Sequence, residues 1–303
     1  MLVFHHPSAL EHDTGGGHPE RADRVRAVEA ALDRSGIHLT RREAPRASLD
    51  HLVRVHRPEY VDALLEAVPA HGLVMVDGDT ILSPASGEAA LRAAGGLVAA
   101  VDAVLGGEAT TAFCIARPPG HHAEPARGMG FCLFNNVAVG AAHARIAHGV
   151  SRVAIVDFDV HHGNGTQAIF EHDSSVFFAS THEYPLYPGT GASGERGVGN
   201  ILNVPLRPRS GSAQFRNAIE EAVLPALRAF EPEFLMISAG FDAHERDPLS
   251  TLQLTEDDYA WVTRRLREVA EASCGGRIVS TLEGGYDLAA LGASATAHVR
   301  ELV

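Results

Sequence analysis

The residues best suited to chemistry follow a short apolar run near the middle of the chain. Residues 153–156 have the pattern of a buried strand in a parallel sheet. Asp157, Asp159 and His161 follow it at intervals of two, and alternating side chains on an extended segment project to one side. Two carboxylates and one imidazole suit a divalent transition metal, with zinc as the first candidate. The alternative is that Asp157, Asp159 and His161 only cap the end of the strand.

A third ligand is available in the segment SAGFDAH at residues 238–244. Its carboxylate, Asp242, leaves an apolar strand after a glycine turn. A set made of Asp159, His161 and Asp242 would leave coordination positions open, which is typical of catalytic rather than structural zinc. Taken alone, Asp242 is equally well explained as a turn residue, so the assignment depends on its sharing one sheet edge with Asp159.

Two further groups have the chemistry of proton transfer. His121 and His122 follow a proline-proline-glycine turn, and neighbouring imidazoles near a metal can divide the work of base and acid. Tyr286 follows Gly284 and Gly285, and a phenol there could donate to a developing oxyanion. A tyrosine that only packs in the core is the alternative.

Aromatic side chains in two loops suggest walls for a substrate. Phe131 follows Gly130 in the segment GMGFCLF, and Tyr187 lies in PLYPGTG. Because large aromatic rings are costly to expose, we expect them either to line an apolar tunnel or to pack the loops onto the body of the protein.

Strand and helix patterns alternate along the chain, which predicts a parallel α/β sheet with crossover helices. Strands are predicted at residues 2–4, 111–116, 153–158, 176–179, 234–238 and 278–282. Helices are predicted at residues 20–34, 88–105, 135–148, 212–230, 255–273 and 287–301. Four strands lead directly into the clusters described above. Because sites form beyond the carboxyl ends of parallel strands, we expect one shared site.

The composition favours one large domain over residues 1–303, with 45% apolar residues and no linker, repeat or low-complexity segment. The net charge is −13 and all 25 basic residues are arginine, so we expect no nucleic-acid partner. We also expect no signal peptide and no membrane segment, because no apolar run reaches about 18 residues. Cys114, Cys132 and Cys274 predict reduced thiols in the cytoplasm.

Seven segments resemble the motifs of the zinc-dependent histone deacetylase family, which includes bacterial amidohydrolases and acetylpolyamine amidohydrolases. In the family's order they are HPER (18–21), RPPGHHA (117–123), GFCLFNN (130–136), DFDVHHGNGTQ (157–167), YPGTG (187–191), SAGFDAH (238–244) and EGGYD (283–287). The resemblance spans nearly the whole chain. It implies a single-domain arginase-like α/β fold, with helices on both faces of an eight-stranded parallel sheet, and hydrolysis of an N-acyl amide on an alkyl amine.

The resemblance also implies roles by motif position. The family's zinc ligands correspond to Asp159, His161 and Asp242. His122 matches the general base and acid, and His121 matches its electrostatic partner. Asp157 matches the carboxylate oriented toward His121, and Tyr286 matches the phenol that hydrogen-bonds the substrate carbonyl. Iron(II) is an alternative metal.

A structural potassium ion beside the zinc is likewise implied by the resemblance. Its ligands correspond to Asp157, the backbone oxygens of Asp159 and His161, and the region of Ser180 and Thr181. The aromatic pair that lines the acyl-chain tunnel corresponds to Phe131 and Tyr187. Further substrate contacts correspond to Gly130, Leu249, Gly284, Gly285 and Arg21, the last matching an arginine near the acetate exit.

Asn164 stands where one branch of the family has an aspartate as the partner of the second histidine. Asparagine is typical of the other branch, the class II type, which fits the rest of this chain. A neutral amide raises the basicity of His122 less than a carboxylate would, so the two branches are expected to differ in pH profile.

Acyl-lysine and acetylated polyamines are the alternative substrates within the family. The loop after Asp242 reads AHERDPLST, and Leu249 occupies the position of the acidic gate found in polyamine-selective members. The segment 72–88 is too short for the large insertion that otherwise narrows the mouth. We therefore expect an acyl-lysine substrate or a broad range of amides, with acetylpolyamine as the alternative.

Two other classes of protein are less favoured. A ureohydrolase of the arginase type requires two bridged manganese ions, and Asp159, His161 and Asp242 provide only one ligand set. A non-catalytic module that binds acyl-lysine would be expected to have lost a ligand or the tyrosine, whereas each of these positions is filled.

Overall fold

A computed structural model describes all 303 residues. The strands are β1 (Leu2–His5), β2 (Thr40–Glu43), β3 (Val74–Met75), β4 (Ile81–Leu82), β5 (Thr111–Cys114), β6 (Val153–Asp157), β7 (Val176–Glu183), β8 (Ile201–Leu206), β9 (Phe234–Ala239) and β10 (Ile278–Leu282). The helices are α1 (Ser8–Glu11), α2 (Asp23–Arg34), α3 (Leu49–Leu52), α4 (Pro58–Glu66), α5 (Ser86–Leu105), α6 (Asn136–His148), α7 (Asn164–Phe170), α8 (Ser212–Ala218), α9 (Leu224–Phe230), α10 (Glu256–Cys274) and α11 (Leu288–Leu302).

Eight of the strands form one sheet in the order β2-β1-β5-β10-β9-β6-β7-β8. Every neighbouring pair is parallel, which confirms the predicted eight-stranded parallel sheet. The strands β3 and β4 pair separately as a short antiparallel hairpin. No helix combines the length and the apolar composition that crossing a membrane requires.

The core lies on both faces of the sheet. Along β6, Ala154 and Val156 pack into one buried cluster, and Val153 and Ile155 pack into the other. Because successive side chains of a strand point to opposite faces, a strand covered on both sides must be apolar throughout. This explains the continuous apolar run that precedes the first ligand motif.

The six predicted strands are present, although the strand that begins at Val176 runs on to Glu183. Two edge strands are not predicted by the sequence pattern. The residues of β2, TRRE, are largely exposed and carry no apolar pattern. The strand β8 contains Pro205, a residue tolerated on an edge strand because its missing N–H can face outward.

The predicted helix over residues 212–230 is divided. A π-helical turn, Ile219–Val223, separates α8 from α9. Pro225 explains the break, because a proline removes one backbone donor and its ring crowds the preceding turn of an α-helix. Thr255 is the N-cap of α10, and its N–H donates to the Asp258 carboxylate at 3.0 Å.

Candidate active site

The chemically unusual segments converge at one edge of the sheet. They follow β5, β6, β9 and β10, and these strands are neighbours in the order β5-β10-β9-β6. Parallel strands end at the same edge, so the loops that follow them meet there. The structure thus brings together residues that are as far apart in sequence as His121 and Tyr286.

Asp159, His161 and Asp242 form one buried cluster. The Nδ1 atom of His161 lies 3.1 Å from Oδ1 of Asp159 and 3.2 Å from Oδ2 of Asp242. One ligand atom from each of the three residues lies within 4.8 Å of the others. Three donors at this separation could bind one divalent cation together, with coordination positions left open.

Backbone groups from neighbouring loops hold the two carboxylates in place. Asp159 accepts hydrogen bonds from the N–H of His161 at 2.9 Å and of Gly284 at 2.7 Å. Asp242 accepts from the N–H of Val160 at 2.9 Å. A methyl group on Gly284 would overlap the oxygens of both carboxylates, so only glycine permits this close approach.

The charges of the cluster fit a cation. Burial alone would lower the pKa of His161, but its hydrogen bonds to Asp159 and Asp242 outweigh burial and raise the pKa to about 10. The raised pKa shows that the two buried carboxylates favour a positive charge between them, because buried charges are costly unless they are paired. A divalent metal would supply that charge, and carboxylate and imidazole donors are those that zinc and iron(II) accept.

The two neighbouring histidines contact different partners. The Nδ1 atom of His121 lies 2.9 Å from Oδ2 of Asp157, and the Nδ1 atom of His122 lies 2.7 Å from Oδ1 of Asn164. The two ring centroids are 4.0 Å apart. One imidazole therefore faces a carboxylate and the other faces a neutral amide, which is the arrangement that the family resemblance implies.

The surroundings of the two imidazoles shift their pKa values in opposite directions. Burial opposes the protonation of His121, but the carboxylates of Asp159 and Asp157 outweigh it and raise the pKa of His121 well above its usual value. Burial lowers the pKa of His122 well below its usual value, and the positive charges of His121 and His161 add to this effect. Adjacent groups with separated pKa values can act as acid and base at one pH.

A pocket of about 210 Å³ opens above this cluster. Most of the residues predicted to contact substrate line this pocket, namely Gly130, Phe131, Tyr187, Leu249, Gly284 and Tyr286. His121, His122 and His161 lie at its wall as well. Burial raises the pKa of the Tyr286 phenol well above its usual value, so the hydroxyl remains a hydrogen-bond donor at neutral pH.

Arg21 is one of two predicted substrate residues, with Gly285, that do not line the pocket. Its guanidinium is 52% exposed and lies 3.6 Å from Asp23, away from the pocket that Tyr286 lines. The arginine at the site is Arg24, one helical turn further along. Arg24 is fully buried, donates to the carbonyl of Gly285 at 2.6 Å and lies 4.9 Å from the centroid of the Tyr286 ring.

Arg24, rather than the predicted Arg21, reaches the site because of its position on α2. On α2, Arg24 points inward with Val25 and Val28, whereas Arg21 precedes the helix at the surface. Glu20 neutralises the buried guanidinium at 3.1 Å. A glutamate and an arginine four residues apart beside an apolar helix face were the available sequence signal. Gly285 contributes its carbonyl to Arg24 and does not itself line the pocket.

Two further acidic residues at the site were missed. Glu283 is buried and accepts from the N–H of Gly120 at 2.7 Å and of His121 at 3.2 Å, which fixes the turn before the histidines. Burial raises its pKa to about 7. Asp79 lies at the pocket wall and accepts from the N–H of Gly130 at 3.2 Å. It follows the hairpin strand β3, which is only two residues long and exposed, so no buried strand in the sequence pattern marks its position.

The remaining predicted residues lie beside the cluster. Ser180 is buried on β7, paired in register with Asp157 on β6. The hydroxyl of Thr181 is buried without a hydrogen-bond partner. His162 contacts Thr190 at 2.8 Å and lies outside the ligand cluster, as expected from its position next to His161.

Asp102, His143 and His148 form a second group with the spacing of metal ligands, on α5 and α6. Both Nε2 atoms lie 2.7 Å from the same oxygen of Asp102. Arg54 lies 2.8 Å from Nδ1 of His143, and a guanidinium can only donate. The proton of neutral His143 is therefore on Nε2 and points at Asp102, which makes this group a surface hydrogen-bond cluster rather than an open ligand set.

Comparison with known proteins identifies the family to which the chain belongs. The family model described as the histone deacetylase domain matches residues 18–302. A probable deacetylase from Archaeoglobus fulgidus is 42% identical over 295 residues, which cover 95% of this chain and 81% of that protein. A histone deacetylase-like amidohydrolase from Pseudomonas aeruginosa is 42% identical over 311 residues, which cover 98% of this chain and 82% of that protein.

The similarity extends to a solved structure. The crystal structure of the HDA15 HD domain matches this chain with a TM-score of 0.93 and 38% sequence identity, and the match covers 100% of this chain and 90% of that one. The family match spans the segments that carry both histidines, the three candidate ligands and Tyr286. The chain belongs to the histone deacetylase family, a family of deacetylases and amidohydrolases.

Proposed function

We propose that this protein is a zinc-dependent deacylase that removes acetyl or other acyl groups from the side chain of lysine. The observation that carries the proposal is the position of the Asp159, His161 and Asp242 cluster at a pocket that two imidazoles and a phenol also line. Family membership supports hydrolysis of an acyl amide, and the donor set supports the metal. Zinc is the proposed ion, with iron(II) as the alternative.

The chemistry that a divalent metal supplies when bound is Lewis acidity, which polarises a carbonyl and makes water more acidic. The protein's own groups would then handle the protons. His122, kept neutral by its surroundings, would accept the proton of the attacking water. His121, kept protonated by Asp157 and Asp159, would stabilise the negative charge that develops nearby.

Tyr286 would donate a hydrogen bond to the oxyanion of the tetrahedral intermediate. Its phenol lines the pocket and remains protonated at neutral pH. The imidazolium formed on His122 would return a proton to the departing amine, so that amine leaves in neutral form. Each of these roles is assigned to a group that lines the same pocket wall.

A structural potassium ion beside the metal cluster is part of the proposal. The carbonyls of Asp159 and His161 accept no hydrogen bond from the backbone or a side chain, and the hydroxyl of Thr181 also lacks a partner. Buried polar atoms without partners favour an ion, because leaving them unpaired is costly. Asp157 and Ser180 would complete the set.

The pocket walls favour an extended acyl-alkyl amine as substrate. Phe131 and Tyr187 place two aromatic rings at the pocket, and Leu249 adds an apolar side chain. An acetylated polyamine is the second candidate, because the carboxylate of Asp79 also lies at the wall and could attract a cation. A binuclear ureohydrolase is disfavoured, because the other group with ligand spacing lies on α5 and α6.

The test is a comparison of kcat/KM for an acetyl-lysine peptide and for acetylputrescine, with the metal-loaded protein. We expect the peptide to be preferred and a chelator to abolish turnover. Tyr286→Phe should remain folded and keep its metal, yet lose roughly 10²–10³ in kcat. Preference for acetylputrescine would replace the substrate assignment, and a metal-loaded protein that binds the peptide without cleaving it would indicate a binding module.

The proposal extends to the domain organisation and to the cellular compartment. We propose that residues 1–303 act as one domain, because the core clusters on the two faces of the sheet draw on elements from both ends of the chain. The cytoplasm is the proposed compartment, since Cys114, Cys132 and Cys274 are all unpaired and buried.

A further inference from the structure

Asp247 is a buried carboxylate near the active site. It does not belong to the candidate metal cluster and does not line the pocket. Its two oxygens bind different loops. One oxygen accepts the N–H of Leu249 at 3.0 Å, within its own loop. The other accepts the N–H of Tyr286 at 2.7 Å and, more weakly, that of Asp287 at 3.4 Å.

The segment that carries Tyr286 has little local restraint of its own. It leaves β10 through Gly284 and Gly285, and Gly285 has a φ of 125°, a conformation that other residues rarely adopt. Two glycines in a row leave the backbone many alternative paths. Asp159 and Arg24 hold the two glycines, through the Gly284 N–H at 2.7 Å and the Gly285 carbonyl at 2.6 Å. The hydrogen bond from the Tyr286 N–H to Asp247 fixes the next peptide group, the one that carries the phenol.

The geometry points to Asp247 as a positioning residue that fixes the phenol of Tyr286 relative to the loop that carries Leu249. This inference rests on the proposed function of Tyr286 as the oxyanion donor. Both Tyr286 and Leu249 line the pocket, so one carboxylate links the catalytic phenol to the wall that contacts the acyl-alkyl chain.

A carboxylate is well suited to this position because three N–H groups converge on it and each requires an acceptor. An ionised carboxylate offers two acceptor oxygens and no donor, whereas an asparagine offers one oxygen and one NH₂ group. In Asp247→Asn, the NH₂ group would face either the N–H of Leu249 or the N–H of Tyr286. One of the two loops would lose its anchor.

The test is a double-mutant cycle in the metal-loaded protein with the acetyl-lysine peptide. We expect Asp247→Asn to lower kcat by roughly 10- to 100-fold with a smaller change in KM, because misplacing a catalytic group by about 1 Å has effects of this size. In the Tyr286→Phe background, the same substitution should lower kcat by less than about 2-fold, since the hydroxyl that it positions is already absent.

A purely structural role gives a different result. If Asp247→Asn lowers kcat by the same factor with and without the Tyr286 hydroxyl, the inference is overturned. Asp258→Asn is the matched control, because Asp258 is also buried and accepts from Arg216 at 2.8 Å at the start of α10, outside the pocket. It should destabilise the protein without changing kcat in either background.

Two further measurements keep the outcome clear. If Asp247→Asn does not fold, Asp247→Glu retains the charge, displaces the carboxylate by one methylene and is subject to the same cycle. Metal content is measured for every variant, so a loss of metal is distinguished from a misplaced phenol. Wild-type protein that cleaves no acyl amide would refute the proposed function, whereas additive effects in an active protein would refute only the role of Asp247.

Discussion

Asn164→Asp should move the acid limb of the pH–rate profile to higher pH. In the present structure a neutral amide oxygen lies 2.7 Å from Nδ1 of His122. Burial and the positive charges of His121 and His161 hold the pKa of His122 well below its usual value. The substitution places a negative charge at the amide position, which favours the imidazolium form of His122 and therefore raises its pKa.

The size of the shift follows from the geometry. A unit charge at about 4 Å with an effective dielectric constant of about 20 is worth about 4 kcal/mol, or about 3 pH units. This is an upper limit, because the Nδ2 atom of Asn164 lies 2.8 Å from the carboxylate of Glu124. In the variant two carboxylates would face each other there, and a proton shared between them would cancel part of the new charge. We therefore expect a shift of about 1–3 pH units.

The assay is kcat/KM of metal-saturated protein as a function of pH. Because His122 must be neutral to accept a proton, activity of Asn164→Asp should decline at a higher pH than wild type as the solution is acidified. The double variant Asn164→Asp/Glu124→Gln removes the opposing carboxylate and should show the larger shift. A double variant whose acid limb coincides with that of the wild type would refute the assignment of His122 as the base.

Three other predictions test the ligand cluster, the core and the pocket mouth. Gly284→Ala should weaken metal binding by roughly 10- to 100-fold in a metal titration, because its methyl group overlaps both carboxylates. Gly211→Ala is the control and should bind metal normally, because its methyl group would make only ordinary van der Waals contact with Gln253. Burial lowers the pKa of His298 to about 3, so stability is retained above about pH 6.5 and lost as the pH falls. From pH 6.5 to 5.0 the wild type should therefore lose about 2 kcal/mol more unfolding free energy than His298→Gln in urea titrations. Leu249→Glu should raise kcat/KM for acetylputrescine relative to the peptide by about 5-fold, since a partly exposed ion pair contributes about 1 kcal/mol; an unchanged ratio would contradict its place at the mouth.

The central strands of the fold could be predicted from sequence because each is covered on both faces. An apolar run such as residues 153–156 has no other plausible place in a globular protein, and helix patterns between such runs predict parallel strands. The edge strand β2 could not be found in this way, since its residues Thr40–Glu43 are mostly polar and exposed. Its pairing with β1 is a backbone interaction that side-chain pattern does not report.

The residues of the site also fall into two groups, those that the sequence pattern identifies and those that it does not. Asp159, His161, Asp242 and the two histidines have side chains whose type and spacing indicate chemistry, so the sequence could nominate them. The sequence signal for Arg24 is Glu20 four residues before it, and that spacing favours Arg24 over Arg21 only once the beginning of α2 is known. Glu283 stands in a nominated motif, but its partners are the backbone N–H groups of the turn before the histidines.

The carboxylates at the sheet edge show why such partners escape sequence reasoning. Asp159 after β6 accepts from the N–H of Gly284 after β10, Asp242 after β9 accepts from the N–H of Val160 after β6, and Asp247 accepts from the N–H of Tyr286. Each loop is thus fixed to a neighbour by a carboxylate on one side and a backbone donor on the other. Every residue except proline has such a donor, so residue identity reveals only half of each contact. None of these hydrogen bonds involves a metal, so the three loops should keep their relative positions before the cation binds. The conformational entropy of the ligands is therefore lost during folding rather than during metal binding.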